Sequence, residues 1–170
     1  MLKNLLVAAF AMLFIGCTGN VIVTTPEQLP NVQGEQNATE QKDGMTISLF
    51  RLENYTDTPR AGMRAGNILE GILKAKGYTI ISHVNDASYS FAKAAKTAQD
   101  DRATYFLYGG VSEWRYKTGI DGEPAVSIQL SLYNTKTQEL VWSATGSDSD
   151  WGNGSIGTTA QDLLMEMVEK

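Results

Sequence analysis

One cysteine, Cys17, stands one glycine beyond an apolar run from Leu5 to Ile15, and it limits what can hold the rest of the chain together. A lone thiol leaves no internal disulfide, and a structural zinc site needs several Cys or His ligands. His83 is the only histidine, so a Ser-His-Asp or Cys-His mechanism would rest entirely on that ring. Of 170 residues, 42% are apolar and 19% charged, which suits one ordinary folded domain rather than a disordered chain. The 14 Lys and Arg face 19 Asp and Glu, a formal net charge of -5. That balance argues against a nucleic-acid partner, which needs a basic face to neutralise phosphates. With one histidine and no metal cluster, the composition also argues against an enzyme.

The apolar run reads as an export signal. Lys3 supplies a positive start, the hydrophobic stretch is too short to cross a bilayer comfortably, and Gly16 places a small residue before the cleavage point. Phe14-Ile15-Gly16-Cys17 resembles a bacterial lipobox, with Phe14 in place of the usual Leu. That resemblance implies a signal peptide over residues 1–16 and a diacylated Cys17 as the mature N-terminus. Several acyl chains anchor stably, since each buried methylene contributes about 0.8 kcal/mol. Thr18 follows, and similarity to sorted lipoproteins implies delivery to the outer membrane, facing the periplasm. Loss of Lys3 leaves 13 basic against 19 acidic groups.

Residues 17–44 are rich in Thr, Gln, Asn, Glu and Pro and carry little apolar content beyond Val23, so the expectation is a flexible tether. The folded domain is expected over 45–170. Residues 45–52 alternate as a first strand. Thr56-Asp-Thr-Pro59 offers an N-cap for a helix carrying Met63, Ile68, Leu69, Ile72 and Leu73 on one face, with Gly77 to end it. A short strand over 78–82, parallel to the first, precedes an Ala-rich helix expected from Asp86 to Arg102. Three strands follow, over 104–117, 125–133 and 139–146. The middle one alternates cleanly, with Val126, Ile128, Leu130 and Leu132 inward. The spacing of Ile156, Ala160, Leu163, Leu164, Met167 and Val168 predicts a last helix. The order βαβαβββα gives an α+β (α/β-like) fold: a mixed sheet of about five strands with three packing helices.

Three local patterns suggest chemistry. Gly152-Asn-Gly154-Ser-Ile-Gly157 has the G-x-G-x-x-G form but leaves too little chain for the βαβ unit a dinucleotide needs. Asp148-Ser-Asp150-Trp-Gly-Asn begins like a calcium loop, yet Gly152 and Thr159 replace required ligands. A solvated turn with helix-start acids accounts for it, and no metal is expected. His83 has no paired acid or cysteine visible in the sequence and reads as a surface or capping residue.

The informative stretch is Glu113-Trp114-Arg115-Tyr116-Lys117 through Gly119-Ile-Asp121-Gly122-Glu123-Pro124-Ala-Val126. Alternation puts Trp114 and Tyr116 on one strand face, with Glu113 and Arg115 on the other. Asp121-Gly122 suits a hairpin turn. Acids cluster in two connections, Asp121 with Glu123 and Asp148 with Asp150. Copies arranged around an axis would sum such loops into a mouth attractive to cations.

This stretch resembles the Pel polysaccharide export lipoproteins, the PelC family, and so do Pro59-Arg60-Ala-Gly-Met-Arg64-Ala65 and Leu140-Val-Trp142-Ser143 followed by Trp151. The similarity spans roughly residues 45–170. It implies a dodecameric ring of lipid-anchored subunits under the outer membrane. Its electronegative funnel would guide a cationic, partly deacetylated amino-sugar polymer to an outer-membrane β-barrel porin, PelB. Residue by residue, Cys17 matches the lipidated cysteine and Asp121 the funnel aspartate, with Glu123 beside it. Trp151 matches the Trp before the last helix, where membrane anchoring and core packing are equal alternatives. Glu113, Trp114, Arg115 and Tyr116 form the motif, and Arg115 is a candidate to pair across a subunit boundary. No cofactor is implied. Two other classes stay open. One is a periplasmic lipoprotein activator of a cell-wall synthase with a similar fold. The other is a hydrolase using Asp121 with Glu123 or Asp148 with Asp150, disfavoured because no activated base or nucleophile can be named.

Overall fold

A computed structural model describes residues 20–23, 29, 45–117, 122–150 and 154–169. Strands β1 (Asn20–Val23), β2 (Thr46–Phe50), β3 (Glu53–Asn54), β4 (Thr79–His83), β5 (Tyr105–Tyr116), β6 (Pro124–Asn134) and β7 (Leu140–Ser149) form one mixed sheet. Its order is β1-β7-β6-β5-β2-β4, with β3 pairing β5 beyond the end of β2. Helices α1 (Ala61–Ala75), α2 (Phe91–Asp100) and α3 (Ile156–Glu169) complete the expected mixed α+β fold.

The period-2 pattern decides which face each helix covers. Ile47 and Leu49 of β2, Leu107 and Val111 of β5, and the even-numbered apolar residues of β6 point to one face. There they meet Leu69 and Leu73 of α1 and Leu163, Leu164 and Met167 of α3. Each such side chain taken fully out of water contributes about 1.5–3 kcal/mol. Phe50 and Phe106 point the other way and pack on Ala94, Ala95 and Ala98 of α2, whose small side chains let the helix lie close. β2 runs parallel to both β4 and β5, as the expected crossover requires, while β5, β6 and β7 are antiparallel neighbours.

The helix ends show where local chemistry held and where it gave way. α1 ends in a Schellman turn: Gly77 N–H donates to Lys74 O at 3.0 Å, Tyr78 N–H to Leu73 O at 3.1 Å, and Gly77 takes φ 91°. Its start differs from the expected Thr/Asp cap. Arg60 precedes the helix at φ 62°, and the Thr58 hydroxyl donates instead to Trp114 O at 2.5 Å. Gly62 is needed in the next turn, because a Cβ there would strike the Leu52 carbonyl. α2 begins at Phe91, not Asp86, because the Asp86 carboxylate is engaged by His83 and Tyr89; Ser90 caps the helix by accepting from Lys93 N–H.

The segment expected as a tether also differs in part. Residues 20–23 form an antiparallel edge strand against β7, from Asn20 opposite Ser147 to Val23 opposite Ala144. Leu29 is buried in the main core. An added strand satisfies edge backbone groups of β7 that would otherwise face solvent.

Candidate functional site at the acidic end of the sheet

The Glu113–Tyr116 part of the family-like motif forms the C-terminal end of β5, and a β-bulge sets its facing. Val111 sits opposite Ile128 and Trp114 opposite Val126, with the register slipping between Val111 and Glu113. One extra residue shifts the period-2 series, so Trp114 joins Val111 on the helix-covered face. Trp114 is 2% exposed, in the core with α1 and α3, and Ser112, at the bulge, hydrogen-bonds the Ser127 hydroxyl at 3.0 Å. Tyr116 lies two residues on, half exposed, and its hydroxyl accepts from Ile156 N–H at 3.2 Å. It thereby takes up one of the unpaired donors at the start of α3.

Glu113 and Arg115 form an ion pair within the strand, with Arg115 Nε 2.9 Å from Glu113 Oε1. Lys117 closes the hairpin: its N–H donates to Glu123 O at 2.6 Å, and its Nζ lies 3.5 Å from Glu123 Oε2. Glu123 is thus compensated inside its own hairpin, and its carboxylate is mostly covered. Gly122 takes φ 53°, the left-handed conformation expected of a turn glycine.

The second acidic stretch comes to the same end of the sheet. Asp148 is opposite Val126, and Asp150 N–H donates to Pro124 O at 3.3 Å, so both lie beside the root of the β5–β6 hairpin. Asp148 continues the series Trp142, Ala144, Gly146 that faces α3. Burial raises its carboxyl above the ordinary range, and the charges of Asp150, Asp162 and Glu166 raise it further, against a stabilising Ser149 N–H. Asp162 and Glu166 lie one turn apart on α3 and were missed by sequence reasoning. Their i, i+4 spacing was visible, but only the packing of α3 beside β7 makes them neighbours of Asp148.

Cys17, Asp121 and Trp151 lie outside the described residues. Of the remaining motif residues, Glu113, Arg115 and Tyr116 reach the surface, whereas Trp114 is core. Gly152 of the G-x-G-x-x-G pattern is likewise outside the description, and among the described residues no group of three or more acids, His or Cys could hold a metal ion. His83 departs from expectation, because it has two acids as partners. Nδ1 lies 3.0 Å from Asp86 Oδ2 and Nε2 2.8 Å from Asp101 Oδ2, with the ring stacked on Phe50. Burial disfavours its cation, but the two carboxylates outweigh that and raise its pKa. Asp101 Oδ2 also accepts from the buried Ser48 hydroxyl at 2.6 Å. Both ring nitrogens are taken by carboxylates, so the residue fastens β4 to the end of α2 and leaves no nitrogen to activate a hydroxyl.

No family model matches the chain, and no curated protein does. Solved structures do. A PelC dodecamer from Paraburkholderia phytofirmans is 32% identical, covers 88% of this chain and 94% of its own, and superposes with a TM-score of 0.71. A single-substitution variant of that dodecamer in another crystal form gives 31%, 88%, 95% and 0.72. The lipoprotein GNA1162 from Neisseria meningitidis, at 19% identity, 73% and 95% coverage and TM-score 0.55, shares the fold. Nearly the whole length of the Paraburkholderia protein is matched at an identity that carries more than the fold, and the chain belongs to the PelC family.

Proposed function

We propose that this protein is an outer-membrane lipoprotein, anchored through acylated Cys17 and facing the periplasm, and that it works as a structural subunit of a Pel-type exopolysaccharide export apparatus. Twelve copies close into a ring, a reading supported by the similar Paraburkholderia proteins being dodecamers. The acidic end of each sheet lines a shared mouth that attracts a cationic amino-sugar polymer and passes it to an outer-membrane β-barrel porin for biofilm matrix secretion. The observation that carries this reading is the convergence of Asp148 and Asp150 on the root of the β5–β6 hairpin, with Asp162 and Glu166 of α3 adding to the same field; Asp121 belongs to the connecting segment of that hairpin in the sequence. A ring multiplies that field into many weak contacts, which suit a polymer that must leave as well as enter. The role is electrostatic, and no catalytic group takes part.

The test is secretion. In a strain lacking its own copy, Asp121→Lys is expected to impair polymer export while the purified variant melts with the wild type. Normal secretion from that strain would remove Asp121 from the account.

A further inference from the structure

A second surface feature lies on the sheet face opposite α1 and α3, where β5 carries its bulge. Here an open groove of about 440 Å³ runs between the Tyr55–Thr58 loop and the ends of β5 and β6. Tyr55 is 68% exposed, the most exposed large hydrophobic side chain described, yet its ring is seated on the sheet rather than free in solvent. Its N–H donates to Val111 O at 2.9 Å, extending β3 along β5. Its ring lies over Gly110, where an added Cβ would come within 2.5 Å of Cε2 and 3.1 Å of Cδ2. The Cδ2–Cε2 side of the ring is therefore held close to the backbone at Gly110, and the exposed residue lines the groove.

The other walls are polar. The Ser112 and Ser127 hydroxyls lie side by side on the floor, and Thr56 and Thr58 stand on the loop. Arg115 neutralises Glu113, while Asp57 is exposed and makes no ion pair among the described residues. An exposed aromatic ring, a floor of hydroxyls and one uncompensated carboxylate together match a pyranose ring bearing an ammonium group. The C–H face of the sugar stacks on the aromatic ring, its hydroxyls meet those of the groove, and its ammonium meets Asp57.

We propose that this groove is a hexosamine subsite, separate from the acidic end, that holds one residue of the passing polymer against Tyr55. The inference rests on the export reading for its ligand, and it adds stacking to a mechanism otherwise purely electrostatic. A contact made by ring stacking is insensitive to salt, whereas attraction to the acidic end is screened.

The test uses the full lipidated chain in detergent, with glucosamine tetramer as the probe and its fully N-acetylated counterpart and an oligogalacturonate as controls, read by calorimetric titration. Glucosamine tetramer should bind best. Tyr55→Ala should weaken it about fivefold or more, and Tyr55→Phe should restore it, because stacking needs the ring and not the hydroxyl. Gly110→Ala, which leaves Tyr55 in the chain but unseats its ring, should weaken binding similarly. Asp57→Asn should lose about twofold to threefold, and only at low salt. Binding by wild type that Tyr55→Ala leaves unchanged would overturn the groove and leave the acidic end as the contact, distinguishable because Asp148→Lys would then abolish it. No binding of the tetramer by wild type, or a preference for the oligogalacturonate, would overturn the subsite as well. The export reading would still stand or fall on the secretion test.

Discussion

Replacing Trp114 with alanine and, separately, with phenylalanine separates a core residue from a surface motif residue. The side chain is 2% exposed and packed in the core between the sheet and helices α1 and α3. Its indole N–H is buried without a hydrogen-bond partner among the described residues. Truncating a buried tryptophan to alanine costs about 3–5 kcal/mol, combining lost transfer energy with the cavity left behind. For a domain of this size each kcal/mol moves the melting temperature by about 3–5 °C, so Trp114→Ala should melt about 9–25 °C lower. Phenylalanine behaves differently. It gives up part of the indole volume but also removes a buried unpaired donor, whose desolvation costs about 1–3 kcal/mol. The two effects oppose, and Trp114→Phe should lie within about 1 kcal/mol of wild type. Urea unfolding followed by circular dichroism measures both, with unchanged slopes showing that the unfolded state is the same. If Trp114→Phe were as damaging as Trp114→Ala, the indole N–H would have an essential partner. If Trp114→Ala kept wild-type stability but lost self-association, Trp114 would be an interface residue and its assignment to the core would fall.

Other consequences follow from the titrating groups and helix ends. His83 has a raised pKa, so the stability it contributes is complete below its unfolded value and disappears as pH rises through the folded one. Melting curves across that window should fall for wild type and flatten for His83→Gln. Asp148 behaves in the opposite sense to a salt-bridged acid. Its carboxyl is raised, so its charge opposes folding at neutral pH and the penalty fades as pH drops through the folded value. Asp148→Asn should therefore be more stable than wild type at pH 7 and equal to it in acid, by chemical denaturation. Arg102 ends α2 at φ 58° with its N–H on Gln99 O, a position that glycine occupies without cost. Arg102→Gly should gain about 0.5–1 kcal/mol by the same assay, and a loss would mean that the side chain has a contact of its own.

Much of the fold was legible because periodicity and burial agree. The alternation Val126, Ile128, Leu130, Leu132 identifies the central strand and its inner face, and Gly77 marks the end of α1. The misses arose where side chains competed for local structure. Asp86 could have opened a helix, but His83 and Tyr89 claim its carboxylate, and the Ser90 cap takes over four residues later. Val21-Ile22-Val23 carries the β-branched composition of a strand, yet a four-residue edge strand gains its stability from β7, which no local pattern reveals. The bulge near Ser112 could not be read from sequence either. Without it, the same alternation would place Glu113 and Arg115 on the core face. The motif itself was visible as a unit, whereas its division into a buried Trp114, a helix-capping Tyr116 and a self-paired Glu113–Arg115 needed the packing. The acidic end was legible only in part: the Asp148–Asp150 stretch was visible as a cluster but expected in a connection, whereas β7 runs on to Ser149 and carries Asp148, and α3 supplied Asp162 and Glu166.

The central claim is that one subunit's acidic end acts only when many copies share it. Light scattering on the full lipidated chain in detergent, across a concentration series, tests it most directly. The account predicts a closed assembly with the mass of twelve protomers, holding its size on dilution. A monomer at every concentration would contradict it, leave the acidic residues without a mouth to line, and return the reading to a lipoprotein that docks singly on a synthase.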